Sequence, residues 1–358
     1  MWYYNIPRDA QGMRIAQRLI AVKDALEADE GVPPKSEDTL LIATWNIREF
    51  DSPSYGERGI EPLYYIAEII SHFDLVAVQE VRENLKALDT VKGMLGGWWK
   101  YIATDVTEGA QGNRERMAFL FDSRKVVFGN IAGEVVIPPF EKKSKGKKTV
   151  YDPARQLYRT PFLCGFKASW AKFMLCTVHI LYGESAPEDP ARVEEIRRIA
   201  TFLAGRAEEK SSWSNNMILM GDFNIFSPGD VTMQEILKAG FTVPAELQNL
   251  PQTNTGKESR HYDQIAFIPK TRVLQSTGRA GVFNYFNTVY RDGDEGIYSE
   301  EMGGAYLKTS KGVQRSESGR SQYYRTYWRT YQMSDHLPMW VELKTDFGRE
   351  YLGTKTGS

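Results

Sequence analysis

The sequence predicts an α/β (α+β) chain, a four-layer sandwich in which two mixed β-sheets face each other and helices cover the outside. Two observations lead there. Buried-strand runs alternate with helical patterns in the first hundred residues, and strand-like runs pair directly through a short turn at 162–181. That mixture is not the pattern of a purely parallel, doubly wound sheet.

The elements follow in order. Residues 1–38 read as a helical extension, with Ile15, Leu19, Val22 and Leu26 at helical spacing and a stop at Gly31 and Pro33–Pro34. From residue 39 the pattern changes, and a main domain is expected to run to 348, with a tail at 349–358. Residues 40–45 (LLIATW) and 74–81 (DLVAVQEV) read as buried strands, with helices expected over 57–73 and 83–95. Strands are expected at 117–122, 126–137, 162–168 and 172–181, and an amphipathic helix over 190–210. The runs MILMGDFN (217–224), DQIAFI (263–268) and LPMWVELK (337–344) complete the strands.

Composition narrows the class. The chain has 358 residues, 42% hydrophobic and 25% charged, so it can bury a core without staples. Lys and Arg number 45 against 46 Asp and Glu, which excludes a globally basic coat but not a local basic patch. The two cysteines, Cys164 and Cys176, sit in apolar strand runs and are expected to be buried and inert. No apolar run reaches the length of a membrane span, and the N-terminus lacks the basic-then-apolar pattern of a signal peptide. A cytoplasmic monomer is the default expectation.

Two segments stand out by charge. Residues 141–159 carry five Lys and two Arg against Glu141 and Asp152, a net of +5. Residues 303–333 carry two Lys and four Arg against Glu317, again +5, interleaved with Tyr323, Tyr324, Tyr327, Trp328 and Tyr331. Each reads either as a solvated surface loop or as a phosphate-binding insertion. Each also lies just before candidate site residues.

Polar groups recur where apolar strands end: Asn46, Gln79–Glu80, His179, Asp222 and Asn224, Asp263, and Asp335–His336. Any one is ordinary, because Asp and Asn commonly serve as turn residues. Six strand ends, each supplying such a group, point to one surface where reacting groups collect. Their carboxylate and amide oxygens suit Mg²⁺, Mn²⁺ or Ca²⁺ and not zinc. Of the four histidines, His179 and His336 join this set, and His72 and His261 are expected to be structural. Two imidazoles beside a carboxylate-held metal suit phosphodiester cleavage. Neither a phosphate-binding GxxxxGK[ST] loop nor a GxSxG elbow occurs.

TWNIREF, LVAVQEVRE, RERMAFLF, YRTPF, TVHIL, LMGDFN, YDQI and SDHLP follow one another along residues 39–345. This ordered set resembles the endonuclease/exonuclease/phosphatase superfamily, most closely its deoxyribonuclease I branch. The resemblance implies a Mg²⁺-dependent nuclease with DNA as partner. It implies that Glu80 binds the metal, with Asn46 beside it and Asp335 near it. Asp222 and Asn224 would face the phosphate. His179 and His336 would form the acid/base pair, oriented by Glu115 and Asp263 respectively. Arg159 resembles the phosphate-contacting Arg, and Arg82 one that enters the DNA minor groove. Lys142, Lys143, Lys145, Lys147, Lys148, Arg325 and Arg329 are the added candidates for backbone contact. His at 179 sets the chain apart from abasic-site repair enzymes, which resemble it but carry Tyr there. Asn113 stands where mammalian deoxyribonucleases have a stacking Tyr, and their structural disulfide is replaced by the Lys-rich segment. Two other functions fit the same motifs: a lipid or inositol phosphodiesterase or phosphatase, and an inactive nucleic-acid-binding module.

Overall fold

The structure is a computed structural model that describes residues 1–52, 58–108, 112–143, 149–256, 258, 260–271 and 273–356. It opens with α1 (Ala10–Leu26), β1 (Thr39–Phe50), α2 (Ile60–Ser71), β2 (Leu75–Val81), α3 (Lys86–Leu95), β3 (Trp99–Ala103), β4 (Arg116–Asp122) and β5 (Val127–Glu134). A hairpin of β6 (Phe140–Lys143) and β7 (Thr149–Asp152) precedes β8 (Phe162–Ala168) and β9 (Ala171–His179). Then come α4 (Pro190–Glu208), β10 (Met217–Asp222), α5 (Val231–Lys238), α6 (Ala245–Gln248), β11 (Asp263–Ile268) and β12 (Ser276–Val282). The last part holds a 3₁₀ turn (Asp292–Tyr298), α7 (Ser299–Leu307), α8 (Glu317–Tyr323), a π-helical turn (Tyr324–Trp328), α9 (Arg329–Gln332), β13 (Met339–Lys344) and α10 (Gly348–Thr356).

Two mixed sheets result, as expected. One has the order β12-β13-β1-β2-β4-β3 and the other β11-β10-β9-β8-β5. The β1–β2 and β9–β10 pairs are parallel, and the remaining pairs are antiparallel. Strand alternation assigns the faces. Leu40 and Ile42 of β1 join Leu75 and Ala77 of β2 in the core that also takes in the second sheet. Leu41, Ala43 and Trp45 point the other way, into the core beneath α1, α2 and α3. Between the sheets, Phe119 stacks on Phe162 at 5.3 Å, and Phe121 meets Phe166 edge-on at 5.6 Å. On the far side of the second sheet, Ile196, Ile199 and Leu203 of α4 are buried.

Helix α1 is capped by Asp9, which accepts from the Gly12 N–H at 2.8 Å, and it buries the four predicted apolar residues. It locks onto α2 through the buried Glu61. That carboxylate takes the Arg14 guanidinium at 2.6 Å and the Tyr65 and Tyr298 hydroxyls at 2.8 and 2.7 Å. His72 closes α2 and meets Glu68 at 3.3 Å, the structural place expected of it. Both cysteines are buried and free, and burial raises their thiol pKa values. No helix among the described residues is long and apolar enough to cross a membrane.

Several elements depart from the sequence reading. β3 and β12 are strands that the apolar pattern does not reveal, because only one of the seven β12 residues is a large aliphatic. The 303–333 segment is mostly helical, not a loop. Ser316 caps α8 at the Gly319 N–H, and aromatics four apart bury one face of the run. The final residues form α10 where a tail was expected.

Gly221 shows how tightly the parallel pair is built. It sits at φ +137°, and a Cβ there would lie 2.2 Å from the Val178 carbonyl oxygen. Gly221→Ala is expected to cost at least about 2 kcal/mol, read as a lower Tm and a lower urea midpoint. Wild-type stability in that variant would show that β9 and β10 part freely to admit a methyl group.

Candidate active site

The strand ends converge as the sequence anticipates. In the second sheet, Asp222 at the end of β10 lies opposite His179 of β9 on one side and Asp263 of β11 on the other. Three chemically competent side chains thus stand abreast on neighbouring strands. In the first sheet, Asn46 lies opposite Gln79. Asn46 shares the inward parity of Leu40, Ile42 and Thr44, so its amide crosses to the other sheet.

Glu80 reaches the site by a different device. Val76 and Val78 face the outer core, and simple alternation would send Glu80 after them. The β1–β2 and β2–β4 registers both shift here, and Glu80 adopts φ +60°. The bulge turns the carboxylate inward. There Oε1 accepts from Asn46 Nδ2 at 3.0 Å and Oε2 from the Glu49 N–H at 2.8 Å. Asn224, at φ +52°, is turned similarly and donates to the Ile180 carbonyl at 2.8 Å, while its own N–H donates to Asp222 Oδ1.

Asp222 Oδ2 is the focus. It lies 3.5 Å from His179 Nε2, 3.6 Å from His336 Nε2 and 2.9 Å from Asn46 Nδ2. Each imidazole is held from behind: His179 Nδ1 by Glu115 at 2.7 Å, and His336 Nδ1 by Asp263 at 2.8 Å. Arg159 stands against the same Glu115 oxygen, its Nε at 2.9 Å. All of these groups are buried or nearly so.

The charges set one another. Burial disfavours the His179 imidazolium, as does Arg159, but Glu115 and Asp222 outweigh them and raise its pKa. His336 is raised well above the usual value: burial opposes, and Asp263, Asp222 and Asp335 prevail. Glu115 is held at about 2, since His179, Arg159 and Arg82 overcome its burial. Asp222 is lowered against burial by the two histidines. Burial raises Glu80, and the nearby Glu115 and Asp335 raise it further.

That last cluster fits a hard divalent cation. The buried Asn46 Oδ1 has no hydrogen-bond partner, and it lies beside a carboxylate whose ionised form gains from added positive charge. Asp335, half exposed, flanks them. Among the described residues no group of three or more His, Cys, Asp or Glu is arranged as a ready metal cage. The fit rests on Asn46 and Glu80 together.

Other predicted residues are placed differently. Arg82 is committed inward: it pairs with Glu49, donates to the Asn113 carbonyl and lies 3.8 Å from Glu115, leaving 11% of its side chain exposed. These contacts make it a strut under the site. Arg329 is likewise engaged, with Asp292 at 2.6 Å, the Tyr290 carbonyl at 3.1 Å and the Phe286 ring at 4.2 Å. Arg325 stays half exposed, 3.8 Å from Asp292. Lys142 and Lys143 lie on β6, where only the backbone is described, and Lys145, Lys147 and Lys148 lie outside the described residues. His261 lines an apolar cavity of about 90 Å³ together with Asp263.

The sequence reading missed Arg48, Glu49 and Ser334. Arg48 lies 3.6 Å from Asp335 and stacks at 3.9 Å on Tyr331. Ser334 donates to the Asn46 carbonyl at 2.7 Å and accepts from the Arg48 and His336 N–H groups, both at 3.0 Å. The NIRE and MSDH motifs contain all three, so adjacency to recognised motifs was the available signal.

No family model matches the chain. It is 26% identical over 261 residues to a deoxyribonuclease of Thioalkalivibrio sp. (strain K90mix), covering 71% of this chain and 64% of that protein. The match therefore spans less than two thirds of that relative's length. Among solved structures, the human nocturnin catalytic domain with bound sulfate superposes with TM-score 0.52 at 12% identity, over 87% of this chain and 96% of that one. An endonuclease/exonuclease/phosphatase family protein of Bacteroides thetaiotaomicron gives 0.50 at 18%, over 86% and 98%. A humanized TDP2 of D. rerio gives 0.50 at 14%, over 87% and 100%. The fold is that of the endonuclease/exonuclease/phosphatase proteins, the family that the ordered motifs resemble.

Glu115 is the group that keeps the His179 proton in place. Glu115→Gln removes the main attraction and leaves burial and Arg159, both of which oppose the imidazolium. The His179 pKa is expected to fall in that variant, followed by NMR of labelled histidine. An unmoved or higher titration would show that Glu115 does not set the charge of this ring.

Proposed function

We propose that the chain is a divalent-metal-dependent phosphodiesterase, a nuclease of deoxyribonuclease I type that hydrolyses DNA. One observation carries the reading. A single carboxylate oxygen, Asp222 Oδ2, faces the Nε2 atoms of two imidazoles, each held on its other nitrogen by its own carboxylate. Such opposed rings serve in-line displacement at phosphorus, where one proton must leave the attacking water and another must reach the departing oxygen. The relative called a deoxyribonuclease supports the substrate class.

Asn46 and Glu80, with Asp335 beside them, would hold Mg²⁺ or Mn²⁺, which when bound neutralises the phosphate oxygens and polarises the phosphoryl group. The remaining work belongs to the side chains. The phosphodiester lies between the two rings, with Asn224 and Arg159 orienting its oxygens. One Nε2 accepts a proton as the water oxygen bonds to phosphorus. The other gives a proton to the sugar oxygen as its bond to phosphorus breaks. Asp222 orients the water and steadies both imidazolium forms. Glu115 and Asp263 hold each Nδ1 proton, so each Nε2 stays aimed at the phosphate.

With Mg²⁺, supercoiled plasmid is expected to be nicked, and EDTA to abolish the reaction. His179→Ala and His336→Ala should each lower the rate by about 10²-fold or more. Glu80→Gln should require more Mg²⁺ and should lose the Mg²⁺-induced rise in Tm. Wild-type nicking by both histidine variants would remove the acid/base assignment. Cleavage of inositol or sphingolipid phosphoesters without nicking would move the enzyme to the lipid alternative.

A further inference from the structure

The basic-aromatic insertion carries a groove of about 720 Å³ that the cleavage chemistry does not use. Its walls come from α7, α8, the π-helical turn and the loop between α7 and α8. Lys308, Arg315, Gln322, Tyr323, Thr326 and Tyr327 supply the side chains that matter. Both charged residues of the lining are cations, and apart from the Tyr323 and Tyr327 rings the remainder is small or polar, with no aliphatic side chain larger than Ala305 to receive an apolar peptide helix.

The helical run divides its aromatics between two faces. Tyr324 and Trp328 turn inward; Trp328 packs on Tyr290 at 5.7 Å and Tyr298 at 5.2 Å, and Tyr324 donates to the Arg291 carbonyl. Tyr323, Tyr327 and Tyr331, four residues apart, form the neighbouring stripe. Tyr323 and Tyr327 stack at 5.3 Å, and Tyr327 meets Tyr331 at 4.9 Å. Tyr327 is 42% exposed. The Arg315 guanidinium lies 4.8 Å over Tyr323 at one end of the stripe. At the other end Arg48 stacks on Tyr331 and reaches Asp335 at 3.6 Å. An unbroken line of cation and ring therefore runs from the groove to the metal-side carboxylate of the cleft.

We propose that this groove binds an unpaired nucleic-acid strand and leads it to the cleft, so that the substrate is single-stranded or locally opened next to the scissile bond. The ring surface that Tyr327 leaves exposed can be used for stacking only by a base freed from its partner, and flanking cations hold the phosphates whatever the sequence. From Tyr323 to Tyr331 the helix advances about 12 Å, the reach of a short run of nucleotides. The inward stripe keeps the outward one rigid. This inference rests on the phosphodiesterase reading of the cleft, but its test does not depend on turnover.

The test is fluorescence anisotropy in EDTA with a labelled oligothymidylate and a labelled hairpin duplex of equal phosphate number. The oligothymidylate is expected to bind more tightly. Tyr327→Ala should weaken it roughly tenfold or more, and Tyr327→Phe should retain the affinity. Lys308→Gln with Arg315→Gln should flatten its salt dependence. Tyr4→Ala, an exposed aromatic on the N-terminal segment, serves as the control and should change nothing. Equal binding of duplex or polyglutamate, or a Tyr327→Ala protein that binds like wild type, overturns the proposal. Plasmid nicking that persists alongside such indifference removes the groove and keeps the enzyme. Tyr327-dependent binding in a wild-type protein that cleaves nothing removes the enzyme and keeps the groove.

Discussion

The site depends on how the two sheets are registered at one end. Asn46 Nδ2 donates across the gap to Asp222 Oδ2 at 2.9 Å, and Gln79 Nε2 donates to Thr177 Oγ1 at 2.8 Å. These bonds join the ends of β1 and β2 to those of β9 and β10, the two parallel pairs. Side chains alternate along a strand, so a slip of one residue would turn Asn46 or Asp222 into an outer layer. The inter-sheet phenylalanines fix the spacing and the polar bridges fix the register. Everything at the cleft inherits that alignment.

Given the alignment, the charges are mutually dependent. Glu115 serves two cations, His179 and Arg159, from one oxygen, and Asp222 serves two imidazoles from one. Removing any member leaves a buried charge uncompensated, which is costly away from water. The Asn46–Glu80 corner is short of positive charge, with an unpartnered amide oxygen beside a carboxylate of raised pKa. Each imidazole thus has a carboxylate on both of its nitrogens, and the Asn46–Glu80 corner is receptive to a cation.

Much of this was legible in the sequence because strand ends are marked by where apolar runs stop. Asn46, His179, Asp222, Asp263 and His336 follow directly from that rule, and the ordered motifs supplied Glu115, which directly precedes β4. Glu80 was found by position, yet its geometry was not predictable, since alternation points it outward and only a local bulge reverses it. The partners of Arg82 and Arg329 were not legible, because a sequence shows charge without showing its partner. Glu49, Glu115 and Asp292, which engage them, are distant in the chain or lie outside the motif. The helical run at 317–332 was hidden by its cations, although its aromatics recur at the spacing of a helix face. β12 carries too few large apolar residues to show alternation.

The N-terminal helix and the insertion belong to the same argument. Arg14 of α1 meets Glu61 of α2, and Tyr298, just ahead of the insertion, meets the same carboxylate. Tyr298 packs on Trp328. Three residues beyond Tyr331, the end of that aromatic run, comes the Ser334–His336 turn. Its backbone is gripped from below: Tyr285 OH bonds the Ser334 and His336 carbonyls, both at 2.7 Å, and Trp45 Nε1 donates to His336 at 2.9 Å. The turn that presents Asp335 and His336 is therefore pinned between the core of the first sheet and the insertion, and the insertion is pinned by α1 and α2. A segment that looks peripheral in sequence thus bears on how rigidly one of the two imidazoles is held.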